Sequence, residues 1–447
     1  MGRLIPMVLF LFLILFVGSH PMSKPKLVLI GNGMAGAKLL EELMMSCPNQ
    51  YDITVFGDEP YGNYNRIMLS PLLAGEKTLE DIMIFDRPWY QEHNIELCAG
   101  ADKRIKKINR KAKTVETLDG NITVYDRLVI ATGSKPFILP IPGTDLKGVM
   151  SFRDIADVEN MISAANTHQK AVVIGAGLLG LEAAMGLTGR GMDVTVIHNN
   201  DIPLNRQLDQ EAGELLTQAL SQRGLHFKMN ANTQELIGDE SGQVKAIRFN
   251  DGSELDADLV IMAIGIRPNF KLAQDAGIHC EKGIMVSDTL QTYDPSVYAL
   301  GECIQHRGDT FGLVAPLYDQ ARVLANHLSE HGVAVFETLP TATKLKVTGI
   351  NLFSVGDFLG DDQTENLIYR DKQQGIYKKI VVQNNIIKGV VLYGDTQEGA
   401  FYNDLMDNKT DLTALRPFLM FGRALCEDQV PSAFVNDEND NTLSVAI

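Results

Sequence analysis

The sequence predicts an α/β chain of two similar doubly wound βαβ units, one inserted in the other, followed by a smaller β-rich α+β domain. Three observations carry this reading. "KLVLIGNGMAGAKLLEELM" (26–44) runs strand, glycine turn, helix, and "YDITVFGDE" (51–59) supplies the next strand. "KAVVIGAGLLGLEAAMGLTGRGMDVTVIH" (170–198) repeats the pattern. From about residue 335 the texture changes to β, in "TKLKVTGINLFSVGDF" and "GIYKKIVVQNNIIKGVVLYGD". The first two stretches read as Rossmann-like units.

The elements follow in chain order. After the second strand comes "PYGNYNRIMLSPLLAGEK", rich in Gly, Asn and Pro and read as irregular. Short alternating strands run through "KTVETLDGNITVYDRLVIATGS" (113–134), and Pro136, Pro140 and Pro142 then mark a linker. In the second unit the helix stops at Gly189 or Gly191 and the next strand is "DVTVIH"; a helix around 209–223, a hairpin-like stretch at 227–256 and the strand "DLVIMAIG" (258–265) complete it. "GIMVSDTLQTYDPSVYALGEC" (283–303) reads as a return to the first unit, with its helix at 312–330. The expected boundaries are 22–145 and 266–332 for the first unit, 146–265 for the second, 333–422 for the third domain and 423–447 for a flexible tail.

The chain has 447 residues, enough for two or three domains. Fifty-six acidic against 40 basic residues give a net charge of −16, so nucleic-acid binding has no electrostatic support. Five dispersed cysteines form no C-x-x-C, which removes any sequence basis for zinc or iron–sulfur ligation and fits a reducing compartment. "LIPMVLFLFLILFV" (Leu4–Val17) after Arg3 resembles a signal peptide but is short for a membrane span. Met22 offers an alternative start, on which reading residues 1–21 are a start-site artefact outside the fold, the protein is cytoplasmic and a membrane role is not expected.

Each glycine has a separate reason. Gly31 and Gly175 permit the tight strand-to-helix turn; Gly33 and Gly177 let the backbone approach a pyrophosphate; Gly36 and Gly180 allow close helix–strand packing. The following helix starts, Met34–Ala35 and Leu178–Leu179, offer free N–H groups and partial positive charge to phosphate. One such pattern arises by chance in α/β proteins; two in full strand–turn–helix–strand context do not. The second strand of such a unit ends in an acid that bonds a ribose hydroxyl, here Asp58 or Glu59. In the second unit that strand ends at His198, followed by Asn199 and Asn200, so the usual argument for NAD over NADP is missing. Arg206 is a candidate partner for a 2′-phosphate, against the blander reading of a solvated surface arginine.

With "LVIATGS" closing the first stretch and "VYALGEC" returning later, the chain resembles the two-dinucleotide flavoprotein reductases. The resemblance implies an FAD domain interrupted by an NAD(P)H domain. It implies that Ala131, Thr132 and Gly133 cross between domains, echoed by Ala263–Gly265, and that Gly301 and Glu302 stand for the family's Gly-Asp, whose carboxylate binds the flavin ribitol. By the same resemblance Asn65, Arg66 and Pro316 line the FAD, and Gly265 lines the NAD(P)H. "NRQLDQEAG", "GECIQHRG", "GLVAPLYDQARVLA" and "TATKLKVTGINLFSVGDF" narrow the match to the FAD-containing N-terminal half of the NAD(P)H-dependent nitrite reductase large subunit, with rubredoxin and ferredoxin reductases as looser relatives. The full-length large subunit continues into iron–sulfur and sirohaem domains, so the resemblance implies an electron-input module whose acceptor is an Fe-S/sirohaem nitrite reductase subunit or a small redox protein.

Two departures and two rival readings stand beside this. Ferredoxin-reductase relatives carry a lysine beside the flavin where this chain has Pro71, leaving Glu182 as the remaining member of that pair; it is either a nicotinamide-positioning group or an exposed helix residue. Thiol-based relatives need cysteine just after the first unit, and residues 57–75 contain none. Cys303 lies next to Glu302 but has no partner cysteine, and His306 is read as structural. The other rival is a nucleotide-sensing scaffold that kept the fold without turnover. The β-rich domain is expected to cover the flavin edge or to form a dimer face.

Overall fold

The computed structural model describes residues 23–338, 342–347 and 349–429. The signal-like stretch and the end of the expected tail lie outside the described residues.

Two five-stranded parallel sheets form the frame. The first has the order Val297–Ala299, Arg127–Ile130, Lys26–Ile30, Asp52–Gly57, Ile95–Ala99. The second repeats it with Val149–Ser151, Leu259–Met262, Lys170–Ile174, Asp193–Ile197 and His226–Lys228. The central strands are covered on both faces, which is why they read as unbroken apolar runs: Leu27–Ile30 and Ala171–Ile174 are all buried. In each sheet the central strand has its successor in sequence on one side and a late-returning strand on the other. Strand order therefore reverses beside it while every strand stays parallel, and a crevice opens at the carboxyl ends of the strands. The glycine-loop helices, Met34–Ser46 and Leu178–Gly189, begin there.

The likeness extends further than the glycine loops. Each unit carries a three-stranded antiparallel meander before its return strand, over 105–124 in the first and 233–256 in the second. The hairpin-like stretch expected at 227–256 is this meander together with the last parallel strand. An antiparallel ribbon, Ser134–Pro136 on Ile266–Pro268, joins the units, and the insertion is entered and left through these two strands.

One stretch differs from its sequence reading. Within the segment expected to be irregular, Leu69–Ala74 is a helix ending at Gly75, which holds the left-handed φ of +78°. Leu69 and Leu73 belong to the core of the second unit, against Leu181, Ala184 and Leu187 of its glycine-loop helix. The contact is close because position 186 is glycine: a Cβ there would lie 2.8 Å from Leu73 Cγ.

The third domain is an antiparallel sheet of order Thr343–Val347, Ile350–Gly356, Ile386–Tyr393, Ile376–Gln383, Glu365–Asp371. Asn384 and Asn385, both at positive φ, make the two-residue turn that matches the twist of the central hairpin. One face packs Tyr377, Val391 and Tyr393 into the second unit's core; the other holds the helix Gly399–Asp407. The expected tail begins instead as a helix, Arg423–Gln429, because Cys426 is buried on the sheet's other face, in the cluster that holds Phe401, Tyr402 and Leu405 of the helix Gly399–Asp407.

Candidate functional site

The first cradle has three glycines with three separable jobs. Gly31 sits at φ +113°, and a Cβ there would overlap the Ala131 carbonyl oxygen. A Cβ on Gly36 would lie 2.6 Å from the Gly31 carbonyl oxygen. Gly33 is different: a Cβ on it would meet nothing within 4 Å. It begins the helix, and no side chain caps the exposed N–H groups. The second cradle repeats this closely. Gly175 (φ +110°) faces the Ala263 carbonyl, Gly180 faces the Gly175 carbonyl, and Gly177 faces open space at an uncapped helix start. An uncapped N-terminus with a glycine facing space is what a pyrophosphate requires.

Unpartnered polar atoms point the same way around the first cradle. Asn32, between the first two glycines, accepts from Tyr90 Oη at 2.7 Å, while its buried Nδ2 has no partner. Asn63 donates to the Asn32 carbonyl at 2.8 Å, and its Oδ1 is likewise buried and unpartnered. Gln320 accepts from the Gly301 N–H at 2.7 Å and leaves Nε2 unpartnered. Buried groups without partners are rare and need an occupant to explain them.

Gly301 (φ +92°) comes so close to the first cradle that a Cβ on it would stand 3.2 Å from Ala35 Cβ. Glu302, next to it, accepts from Ser134 Oγ at 2.7 Å and pairs with Arg153 at 2.5 Å. Arg153 comes from the second unit, just past the strand Val149–Ser151, and is fixed on three sides. Its N–H donates to Asp157 at 2.7 Å, its carbonyl accepts from Arg66 at 2.9 Å, and its guanidinium holds Glu302. Burial pushes the Asp157 carboxyl up, with Asp154 adding to the effect. Arg66 is also paired with Glu59, whose other oxygen accepts from Tyr64 Oη at 2.7 Å. Neither Arg153 nor Ser134 stands out in the sequence. "SFRDIAD" has no local signal, because Arg153 matters only through a partner 149 residues away.

The structure thus brings Gly31, Gly33, Gly36, Ala131, Gly301 and Glu302 to one crevice, with Met34 and Ala35 on the helix start. Thr132 Oγ1 donates to the Asn269 carbonyl at 2.7 Å, and the Asn269 N–H donates to Gly133, so this stretch joins the connecting ribbon. Of the two candidate acids, Glu59 is turned inward to Arg66, while Asp58 pairs with Arg104 at 3.0 Å on the surface. Asn65 Oδ1 accepts from the Ile67 N–H, capping a short turn. Pro316 lies in the first turn of the helix Val314–Leu328.

At the second cradle Leu178 and Leu179 open the helix, and Gly265 (φ +113°) faces open space. His198 Nδ1 accepts from the Ala176 N–H at 3.4 Å, and Nε2 bonds Asn205 at 3.2 Å; burial lowers its pKa and favours the neutral ring. Arg206 is exposed. Glu182 is not the exposed helix residue of the blander reading. Ser70 Oγ, from the short helix Leu69–Ala74, donates to it at 2.6 Å, and burial pushes the carboxyl up.

The thiols are poor nucleophiles. Cys303 donates to the Leu300 carbonyl at 3.2 Å, and burial pushes its pKa up to about 11; Cys280 is raised to about 11, again chiefly by burial. All five cysteines are free. His306 is buried between Asp288 at 2.9 Å and Thr338 at 3.1 Å, a satisfied structural histidine. No group of residues suited to a metal ion, and no helix long and apolar enough to cross a membrane, occurs among the described residues.

Two matched pyrophosphate cradles on joined parallel sheets, with a carboxylate returning to the first, define a two-dinucleotide oxidoreductase, a class whose cofactors are FAD and NAD(P)H. The chain belongs to the pyridine nucleotide-disulphide oxidoreductase family, whose model matches residues 25–334; residues 341–410 match the rubredoxin NAD+ reductase C-terminal domain. It is similar to a nitrite reductase [NAD(P)H] of Bacillus subtilis (strain 168), 47% identical over 88% of this chain and 48% of the relative. An assimilatory nitrate reductase electron transfer subunit of the same organism is 43% identical over 88% of this chain and 50% of the relative. The chain thus spans about half the length of these curated relatives. Among solved structures, a covalent putidaredoxin reductase–putidaredoxin complex superposes with a TM-score of 0.81 at 25% identity, over 92% of this chain and all of that one.

Proposed function

We propose that this chain is the flavoprotein, diaphorase-type half of an NAD(P)H-dependent nitrite reductase. The first cradle holds FAD, the second delivers NAD(P)H, and electrons leave for an iron–sulfur/sirohaem nitrite reductase component or a small redox protein. The observation that carries this is the pair of open glycines, Gly33 and Gly177, at uncapped helix starts on two joined sheets. When both dinucleotides are bound, they supply hydride transfer and onward single-electron release.

The chain's own residues do the remaining work. The helix starts at Met34 and Leu178 bind pyrophosphate through backbone N–H groups. Glu302, held by Ser134 and Arg153, presents a carboxylate of fixed orientation to hydroxyls of the first ligand. The unpartnered Asn32 Nδ2 and Gln320 Nε2 are further donors to it. Glu182, its carboxyl pKa raised by burial and its orientation fixed by Ser70, lies in the seam between the units, where a nicotinamide entering from the second cradle would meet the first. The raised thiols argue against a cysteine relay. Five free thiols also fit a reducing, cytoplasmic setting.

Anaerobic mixing tests this. A yellow protein that bleaches on addition of NADH or NADPH, then reduces a one-electron acceptor, is the expected result. A protein that binds FAD and stays yellow with both nucleotides is the scaffold instead.

A further inference from the structure

The third domain reaches the second cradle through one short run of chain. After His198 the chain folds back over the glycine loop, and the Leu204 N–H donates at 3.0 Å to the carbonyl of Ala176, the residue between Gly175 and Gly177. The His198–Asn205 bond closes the same loop, since His198 also accepts from the Ala176 N–H. Leu204 holds φ +51°, a conformation that bulky residues keep only when their surroundings impose it.

What imposes it lies on both sides of Leu204. Ile202 is seated against the helix Gln210–Ser221 at Gly213, where a Cβ would come within 2.6 Å of Ile202 Cβ. That helix is capped by Asp209, whose Oδ1 accepts from the Ala212 N–H at 3.1 Å. Asp209 is only 7% exposed, and its other oxygen accepts from Tyr377 Oη at 2.7 Å and pairs with Lys379 Nζ at 3.4 Å. Tyr377 and Lys379 belong to a central strand of the third domain, and Lys379 is itself 7% exposed.

We propose that Tyr377 and Lys379 are positioning residues for the second cradle: by fixing Asp209 they hold the 198–208 loop on Ala176 and so set the affinity for the nicotinamide dinucleotide. The inference rests on the reading of that cradle given above. The coupling is directional. Nothing in this route touches the first cradle, so FAD binding is independent of it. A second link between the same elements, Arg370 on Glu211 at 2.5 and 2.7 Å, is about half exposed and serves as an internal control.

The test uses the full chain loaded with FAD, well below its melting temperature, titrated calorimetrically with NAD+ and separately with NADP+. Tyr377→Phe removes one hydroxyl and Lys379→Met one charge. Each is expected to weaken the better-bound dinucleotide about fivefold to tenfold, while FAD per chain stays at the wild-type value and Arg370→Met leaves affinity unchanged. Wild-type affinity in both variants overturns the proposal, and so does an equal loss in Arg370→Met, which would make domain docking in general the cause. If Tyr377→Phe does not fold, Asp209→Asn keeps the helix cap and tests the same route, and wild-type affinity in it overturns the proposal. If the unaltered chain binds FAD but neither nicotinamide dinucleotide, the reading of the second cradle fails and this inference falls with it.

Discussion

Gly31 and Gly33 lie two residues apart, yet the structure gives them opposite tolerances. Gly31→Ala forces a Cβ onto the Ala131 carbonyl at a left-handed φ, so the apoprotein should be destabilised by more than about 2 kcal/mol. Gly33→Ala has no protein atom to meet, and apoprotein stability should change by less than about 1 kcal/mol. Urea melts of the two apoproteins compare them. Glu182 makes a second prediction through pH. Its folded pKa is raised by burial, so above the ordinary carboxylate range the unfolded chain gains an ionised, well-solvated group that the folded chain lacks. Stability contributed at this site is therefore greatest at low pH and falls as pH rises from the unfolded value to the raised folded one. Glu182→Gln removes that slope: thermal melts from pH 4 to 8 should show the variant gaining on the wild type as pH rises, and a constant difference would contradict the assignment. The glycine roles were legible in the sequence because φ demands and close approach are local. Arg153 and Ser70 were not, since each acts on a carboxylate more than a hundred residues away.

Among elements, the short helix Leu69–Ala74 has the most to explain. Its sequence, "LSPLLA" between Asn-rich and glycine-rich neighbours, carries weak helical signals, and proline at 71 argues for a turn. It is a helix because Pro71 falls in its first turn, where the missing N–H costs nothing, and because Leu69 and Leu73 have a core to enter. Its partner surface exists only after the second unit has folded. Leu73 is fully buried against Gly186, so Leu73→Ala should cost about 3 kcal/mol in denaturant melts. It should also loosen the Ser70–Glu182 bond, whose serine lies three residues earlier on the same short helix. Helices and parallel strands with continuous apolar runs were read close to their observed limits, as with the helix at 210–221. The paired meanders and the helix Arg423–Gln429 were not, because short strands and late polar stretches take their structure from neighbours brought in by tertiary packing.

At the scale of the whole molecule, the account rests on duplication with a division of labour. Both sheets have the same order, both cradles the same three glycines and both units a meander in the same place. The asymmetry lies in what surrounds them. The first cradle has the returning carboxylate and the buried unpartnered amides; the second has the His198 loop, tied through the helix cap Asp209 to the third domain. The ribbon of Ser134–Pro136 on Ile266–Pro268 keeps the two units in register, so two ligands on separate rigid platforms address one seam. The duplication was visible in sequence as a repeated glycine pattern, but its asymmetry was visible only in part. The Gly-Glu return at 301–302 and the missing acid after His198 could be read directly, whereas the amides and the interdomain arginine take their roles from partners distant in sequence. The most direct measurement places a valine at each open glycine in turn and records bound flavin and its bleaching by NADH and NADPH. Gly33→Val should fold and purify colourless, while Gly177→Val should purify yellow and stay yellow when either nucleotide is added. A yellow, bleachable Gly33→Val, or a colourless Gly177→Val, would contradict the division of labour on which the account stands.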